Sequence, residues 1–418
     1  MVMDVVLDLM LLSAYLGFNA IVWIAIYGAS RDGRSYERPS QHMGFIGLPR
    51  VSILVPLYME KPESIMRTIM SISRQKYPRE LFDVWLIVEE DDVDTIIGAK
   101  SALGYLARSG IRSHLYIVRG RRTSKARALN SVISAVDCDI VAIYDADDTF
   151  DENQLVNAIE LIMSRGYDAV GVRVYRYRDS LLGRLLYIDT IIWYEVILSF
   201  LKRAGFHVPL SGEGLYIRKN VLKDLGGFPD RLAEDAYLSL LLFEKGYRIG
   251  LLDSYVEEIA PIGLSDHIRQ RIRWYRGHLE CLARIIFYSS GRRLRASISY
   301  LGPVIALVSL IASIISIFIT ASYIARGSTS GGMATGEDPY SGSTLLSLPQ
   351  YYLLALILIE GIIPVLIVAI AILNHRGSRK GASLLPYVVI MPIYWIVISL
   401  ASIPAIFFRD IEWYKTRR

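Results

Sequence analysis

Cysteine is nearly missing: Cys138 and Cys281 are the only two in 418 residues, far apart and in dissimilar surroundings. That argues against a disulfide framework, and no zinc-type spacing is present. Asparagine and glutamine together number only eleven, a depletion that hints at a thermophilic source. A helix-turn-helix pattern and an aromatic ladder for single strands are also lacking, so the net charge of +5 is not assigned to nucleic acid. The basic residues cluster beside apolar runs, which fits a membrane surface better.

Apolar residues are plentiful. The chain is 53% hydrophobic yet 21% charged, with a mean hydropathy of +0.35, which implies a soluble domain with membrane segments attached. Residues 5–28 are long and apolar enough to span a bilayer, and no small-residue cleavage site follows. Arg31, Arg34 and Arg38 come next, while the short N-terminus carries Asp4 and no Lys or Arg. The positive-inside rule places the following domain in the cytoplasm. Further apolar runs cover about 297–324, 351–373 and 383–408, with a Gly/Ser-rich stretch at 326–343 expected as an external loop. Pro386, Pro392 and Pro404 punctuate the last run. It is expected not to cross fully, returning the basic tail around Thr416 to the cytoplasmic face. Residues 181–205, interrupted by Arg184, Asp189, Glu195 and Lys202, read as an interfacial helix with Trp193 and Tyr194 at headgroup level.

Between about 50 and 255 the texture is α/β. Apolar strands "VSILVPLY", "FDVWLIVEEDD", "SHLYIVRG" and "DIVAIYDADD" alternate with the helical patterns "ESIMRTIMSISRQ" and "KARALNSVISAV". The alternation predicts a mostly parallel sheet with helices on both faces and ligands at the strands' C-terminal ends. Acidic residues fall at those ends.

In "YDADD", Asp145, Asp147 and Asp148 close a strand. Crowded carboxylates resist full ionisation, and Mg2+ or Mn2+ removes that cost while gripping phosphates. A solvated acidic turn has the same sequence. Glu234 and Asp235 precede an apolar helical pattern, as helix-start acids or as a general base for an acceptor hydroxyl. Lys125 and Arg127 in "KARALN" could meet a diphosphate or only solvent. The glycines of "LSGEG" let backbone approach a ligand closely. The stretch "SDHIRQRIRWYRGHLE" gathers Arg269, Arg271, Arg273, Arg276 and His278 around Trp274. It reads as a basic helix on anionic lipid, or as phosphate-binding forks beside an aromatic plate for a sugar.

Taken in order, "PLYME", acids after the next strand, "KARALN", "DAD", "GEG", "ED" and "QRIRW" resemble the membrane-bound family 2 glycosyltransferases of GT-A fold. Cellulose and hyaluronan synthases are the best-known members. The likeness covers about residues 50–280, and "WYKTRR" near the C-terminus resembles a WxKT tail of related enzymes. It implies an inverting sugar transfer from a nucleotide-diphosphate sugar, with Asp145 and Asp147 holding the metal and Asp235, beside Glu234, as base. Gln270, Arg273, Lys125 and Asp145 would face the donor diphosphate, and Tyr58, Glu60 and Glu90 its base and ribose. Trp274, Gly212 and Glu213 would meet the acceptor. The sequence departs from the family pattern at Asp148, often His in synthases, at Glu213, often small and polar, and at Tyr237, often acidic. These departures bear on substrate identity.

The expected organisation is an N-terminal transmembrane helix (1–30), a GT-A domain (45–260), the QxxRW interfacial segment (261–295) and a C-terminal transmembrane region (296–418). Four apolar segments form thin walls for a polymer channel. One-step transfer onto a lipid-linked glycan or glycolipid at the cytoplasmic side of a multi-pass cell-membrane protein is therefore expected. The alternatives are a processive polysaccharide synthase using a UDP-sugar and a polyprenyl-phosphate glycosyltransferase. A carboxylate after the second strand matches guanine's two adjacent donors better than uracil's single N–H. That favours GDP over UDP, with GDP-mannose and an archaeal-type mannosyltransferase foremost.

Overall fold

Residues 51–57 form a strand buried along nearly its whole length, as a continuous apolar run does when helices cover both sheet faces. The computed structural model describes residues 27–28, 35–39, 47–120, 124–288, 293–329, 362–375 and 381–408. Most of the apolar run at 5–28, Gly/Ser-rich residues 330–343 and the C-terminal "RDIEWYKTRR" lie outside them.

Eight strands make one sheet: β1 (Val51–Leu57), β2 (Phe82–Glu89), β3 (Arg112–Val118), β4 (Ile140–Ile143), β5 (Thr149–Phe150), β6 (Ala169–Tyr177), β7 (Leu215–Arg218) and β8 (Ile249–Ile259). Their order is β3-β2-β1-β4-β7-β6-β8-β5. The β3-β2-β1-β4 half is parallel, as the strand–helix alternation predicts. β7 runs antiparallel to both β4 and β6, and β6 pairs with β8 in parallel. The sheet is thus mixed, with four parallel pairings and three antiparallel ones.

The period-2 alternation sorts β1 onto two cores. Ile53, Val55 and Leu57 pack with the helices at 62–73, 93–108 and 154–165. Leu54 faces the other way, toward the helix at 125–133 and the segment around 194–201.

That segment, expected at a lipid interface, packs one face on the sheet. Leu181–Ile191, a π-helical stretch at Ile192–Ile197 and Leu198–Arg203 form a helical rod lying on the sheet. Tyr194, expected at headgroup level, is 3% exposed and shares a hydrogen bond with Ser211. The charges that interrupt the run have partners from distant segments: Asp189 pairs with Arg271, and Glu195 with His375 and Tyr175.

Beyond the sheet, the 25-residue helix Leu264–Tyr288 leads to apolar helices at Gly302–Thr329 and Ile363–Asn374. The helical stretch Gly381–Phe407, 27 residues, is long and apolar enough to cross a membrane, and among the described residues it alone meets that test. Its prolines leave a 3-10 stretch at Leu385–Ile390 and a turn near Ala401 rather than a chain reversal.

Candidate active site

A cavity of about 1290 Å3 opens at the C-terminal ends of β1, β2 and β4, where an α/β sheet places its ligands. Of the sequence-predicted residues, Tyr58, Glu60, Lys125, Asp145, Glu213, Glu234, Asp235, Gln270, Arg273 and Trp274 line it. Chain segments nearly 220 residues apart therefore share one wall.

Each part has a local cause. After β1 the chain turns through Met59 at φ 52°. Asp92 accepts from the Met59 N–H and also caps the helix at 93–108 through Thr95 N. Glu60 N donates to Thr95 Oγ1 at 2.9 Å. Asp92 and Thr95 thus fix the turn that carries Tyr58 and Glu60, a role no sequence motif advertises.

At the end of β2 the structure corrects one assignment. Adjacent strand residues point to opposite faces, and it is Glu89, only 5% exposed, that reaches the cavity. Glu90 is exposed outside it, accepting from Gly120 N at 3.2 Å.

Lys125 occupies the first turn of a helix capped by Ser124. Its Nζ lies 2.6 Å from Asp145 and 3.6 Å from Glu234. Burial opposes the ammonium, but Asp145, Glu234 and Glu213 outweigh it and hold its pKa above the usual lysine range. Arg127 pairs with Asp230 at 2.6 Å and does not itself line the cavity.

The acids after β4 divide. Asp145 faces the cavity. Asp147 is buried in a left-handed conformation, φ 74°, accepting from Ile259 N at 3.0 Å. Asp148 is fully buried and accepts from Asp145 N at 2.8 Å. Burial first, then Asp145, Glu213 and Asp147, push its pKa well above the carboxylate range. This crowd of hard oxygen donors suits a divalent cation chemically, although among the described residues no three side chains are already gathered as metal ligands.

Asp235 lies in the first turn of the helix Glu234–Lys245, where the helix dipole favours negative charge. Its carboxylate accepts from Gly212 N at 2.8 Å and from its neighbour Ala236 N at 2.7 Å. Burial and the adjacent Glu234 still raise its pKa to about 6, against the opposing pull of Lys125. A carboxylate poised there can accept a proton near neutrality. At Gly212 a Cβ would stand 3.2 Å from Lys125 Nζ, a tight contact, and 3.5 Å from Asp235, an ordinary one. Gly212 does not itself line the cavity.

On the helix Leu264–Tyr288, Gln270, Arg273 and Trp274 share one face through their i, i+3, i+4 spacing. The Gln270 side chain is buried with its Oε1 lacking a hydrogen bond among the described residues. The basic cluster divides between the two sequence readings. Arg271 is buried in the cavity wall against Asp189, while Arg276 reaches Ala405 O at 3.4 Å. Burial and Arg271 push His278 down to about 4, so it adds no charge near neutrality. Trp274 is not a bare plate: the guanidinium of Arg176 lies 4.7 Å over its ring and that of Arg271 5.2 Å. Arg176 also pairs with Glu213 at 3.3 Å and Glu258 at 2.5 Å. Sequence reasoning missed Arg176 and Asp189, and of the two carboxylates after β2 it chose Glu90 over Glu89. The strand position of Arg176 could have been counted, but Asp189 gives no local signal.

Comparison with known proteins converges on one family. The family model described as "Glycosyl transferase family group 2" matches residues 140–373, and "Glycosyl transferase family 2" matches residues 52–224. A probable glycosyltransferase of Bacillus subtilis is 26% identical over 62% of this chain and 64% of its own length. A beta-monoglucosyldiacylglycerol synthase of Nostoc is 25% identical over 60% of this chain and 54% of its own. The chain thus aligns with less than two thirds of either relative. Among solved structures, a mannosyltransferase from Pyrobaculum calidifontis, in complex with GDP-Man and Mn2+, superposes with a TM-score of 0.62. It is 20% identical, and the alignment covers 96% of this chain and 99% of that one, which establishes a shared fold. With the acids at the strand ends, the mixed sheet and the ordered motifs on one cavity, the chain belongs to glycosyl transferase family group 2 and is a family 2 glycosyltransferase of GT-A-like fold.

Proposed function

We propose that the enzyme is an inverting, metal-dependent hexosyltransferase moving a sugar, foremost mannose from GDP-mannose, onto a lipid-linked glycan or glycolipid at the cytoplasmic membrane face. The observation that carries the reading is the convergence of Asp235, Lys125, Asp145 and Arg273 on one cavity that also holds Glu89. One of Asp235's carboxylate oxygens takes the proton of the acceptor hydroxyl. The hydroxyl oxygen then bonds to the anomeric carbon as the bond from that carbon to the diphosphate oxygen breaks on the opposite side. The electron pair leaves with the nucleoside diphosphate, whose charge Lys125 and Arg273 meet. Held by Asp145 and Asp147, Mg2+ or Mn2+ would supply further neutralisation at the diphosphate.

The guanine preference rests on Glu89, whose two carboxylate oxygens match the adjacent ring N–H and exocyclic amine. The Pyrobaculum structure with GDP-Man and Mn2+ supports the same donor and ion, and the Nostoc enzyme's name supports a lipid acceptor. The proposed organisation keeps 45–260 as the catalytic domain, 1–30 and 296–418 as membrane regions, and the site on the positive-inside side. A screen of GDP- and UDP-sugars for nucleoside diphosphate release, with and without Mg2+ or Mn2+, tests the reading. GDP-mannose turnover lost in chelator and in Asp147→Ala is expected; full turnover in excess chelator refutes metal dependence, and preference for a UDP-sugar refutes the donor.

A further inference from the structure

The cavity is larger than a donor needs. Small-molecule sites commonly enclose about 300–1,000 Å3, and this one encloses about 1290 Å3. It continues from Asp235 into a second arm between the apolar helices. There it is walled by Ala306, Ser309 and Ser313 from Gly302–Thr329, by Pro364, and by Ile396 and Ser399 from Met391–Ser399. Ala306, Ser309 and Ser313 recur at the i, i+3, i+7 spacing of one helix face, and their small side chains leave the arm open. The same helix turns Val308, 51% exposed, and Ile311, 49% exposed, outward, and Ile393 of the facing helix is 64% exposed. Apolar faces of this kind suit lipid contact, so the arm joins a hydrocarbon environment to the base.

Two of the cations at the junction between the arms are already neutralised by carboxylates. Arg271 is paired with Asp189, and Arg176 with Glu213 and Glu258. Trp395 closes this point by donating from Nε1 to Asp189 Oδ1 at 3.1 Å.

We infer that the second arm seats the hydrocarbon chain of the acceptor, and that the acceptor is an uncharged, hydroxyl-bearing glycolipid whose headgroup rests at Trp274 beside Asp235. This rests on the glycosyltransferase reading and adds where the acceptor's chain lies and what charge its headgroup carries.

The test is equilibrium binding of radiolabelled hexyl through tetradecyl β-glucosides to the full chain in phosphatidylcholine nanodiscs, after subtraction of uptake by protein-free discs. Affinity should rise up to about fourfold per methylene, the ratio equivalent to ~0.8 kcal/mol, until the arm is full. Ser309→Phe should cost dodecyl glucoside about tenfold or more, the equivalent of losing roughly two buried methylenes. Ser313→Phe is the second blocking variant should the first not fold, as judged by its thermal transition. Val308→Phe, on the outward face, should bind as the wild type does. Binding independent of chain length, as when the chain's own 5–28 run fills the arm, overturns the inference. Equal losses in Val308→Phe and Ser309→Phe also overturn it, as does tighter binding of dodecyl phosphate than of dodecyl glucoside. Nucleoside diphosphate release from nucleotide sugars, measured on the same preparation, tests the transferase reading separately.

Discussion

Replacing Asp235 by Asn removes proton acceptance while preserving shape, and the surroundings of the carboxylate set how large the loss should be. The amide can still accept through its oxygen from Gly212 N or Ala236 N, so the loop at 212 and the helix start should stay in place. What disappears is the general base, worth about 10²–10⁴-fold in transfer rate, or ~3–5 kcal/mol of barrier. Donor affinity should change little, because Lys125 rather than Asp235 sits against Asp145. The wild-type pH profile supplies an independent check. Burial and Glu234 raise the Asp235 pKa to about 6, and only the deprotonated form can act. The rate should therefore fall as pH falls through about 6, reaching roughly one tenth a unit below. Stability should move the other way. A carboxylate whose folded pKa is raised binds its proton more tightly in the folded state. Its contribution is thus lost as pH rises from the ordinary aspartate range through about 6. The assay is steady-state transfer against pH, with thermal unfolding over the same range. Transfer by Asp235→Asn near the wild-type rate would refute the base assignment and favour an acceptor already anionic, such as a lipid phosphate.

The other expectations concern the neighbours of that carboxylate. Lys125→Met removes the ammonium that lowers the Asp235 pKa, so the acid limb of the rate profile should shift upward in pH. Donor affinity should drop by the ~1.5–3 kcal/mol of a charge-assisted bond, and an unmoved acid limb would contradict the arrangement. Glu89→Gln should weaken GDP binding by a similar ~1.5–3 kcal/mol in calorimetry, whereas Glu90→Gln, outside the cavity, should leave it unchanged; the reverse outcome would restore Glu90. Asp189→Asn leaves Arg271 buried without its carboxylate and should cost about 3–5 kcal/mol of stability. Restored thermal stability in Asp189→Leu combined with Arg271→Leu would show that the loss comes from an unpaired buried charge and not from a need for the pair itself.

The strands and the acids at their ends were legible because each signal is local. Val51–Leu57 and Phe82–Glu89 are apolar runs of strand length, and Asp145 and Glu89 fall where the parallel half of the sheet ends. The choice between Glu89 and Glu90 was not legible, since it depends on which face the last strand residue presents. The partners of the charges within 181–205 were not legible for a different reason. Charges inside an apolar run signal amphipathicity only when solvent or headgroups satisfy them. Here Asp189 finds Arg271 across 82 positions and Glu195 finds His375 across 180. Long-range ion pairs let a charged residue lie in a packed helix, and no window of sequence contains both partners.

The same reasoning accounts for the arginine cluster around Trp274. A helix turns about 100° per residue, so Arg269, Arg271, Arg273 and Arg276 cannot share a face. Their common charge suggested a common ligand, but the helix distributes them. Arg273 faces the cavity beside Gln270, Arg271 is held by Asp189 within the wall, and Arg276 reaches the backbone at Ala405. Arg271 has a second contact, with its guanidinium over the Trp274 ring. Asp189 therefore fixes the cation that in turn fixes the indole, and Trp395 fixes Asp189 from the C-terminal helices. Through that chain of contacts, the apolar helices set the position of an aromatic ring in the catalytic cavity. A sheet domain alone would present the same motifs without that control, which gives a physical reason for this site to be built against apolar helices.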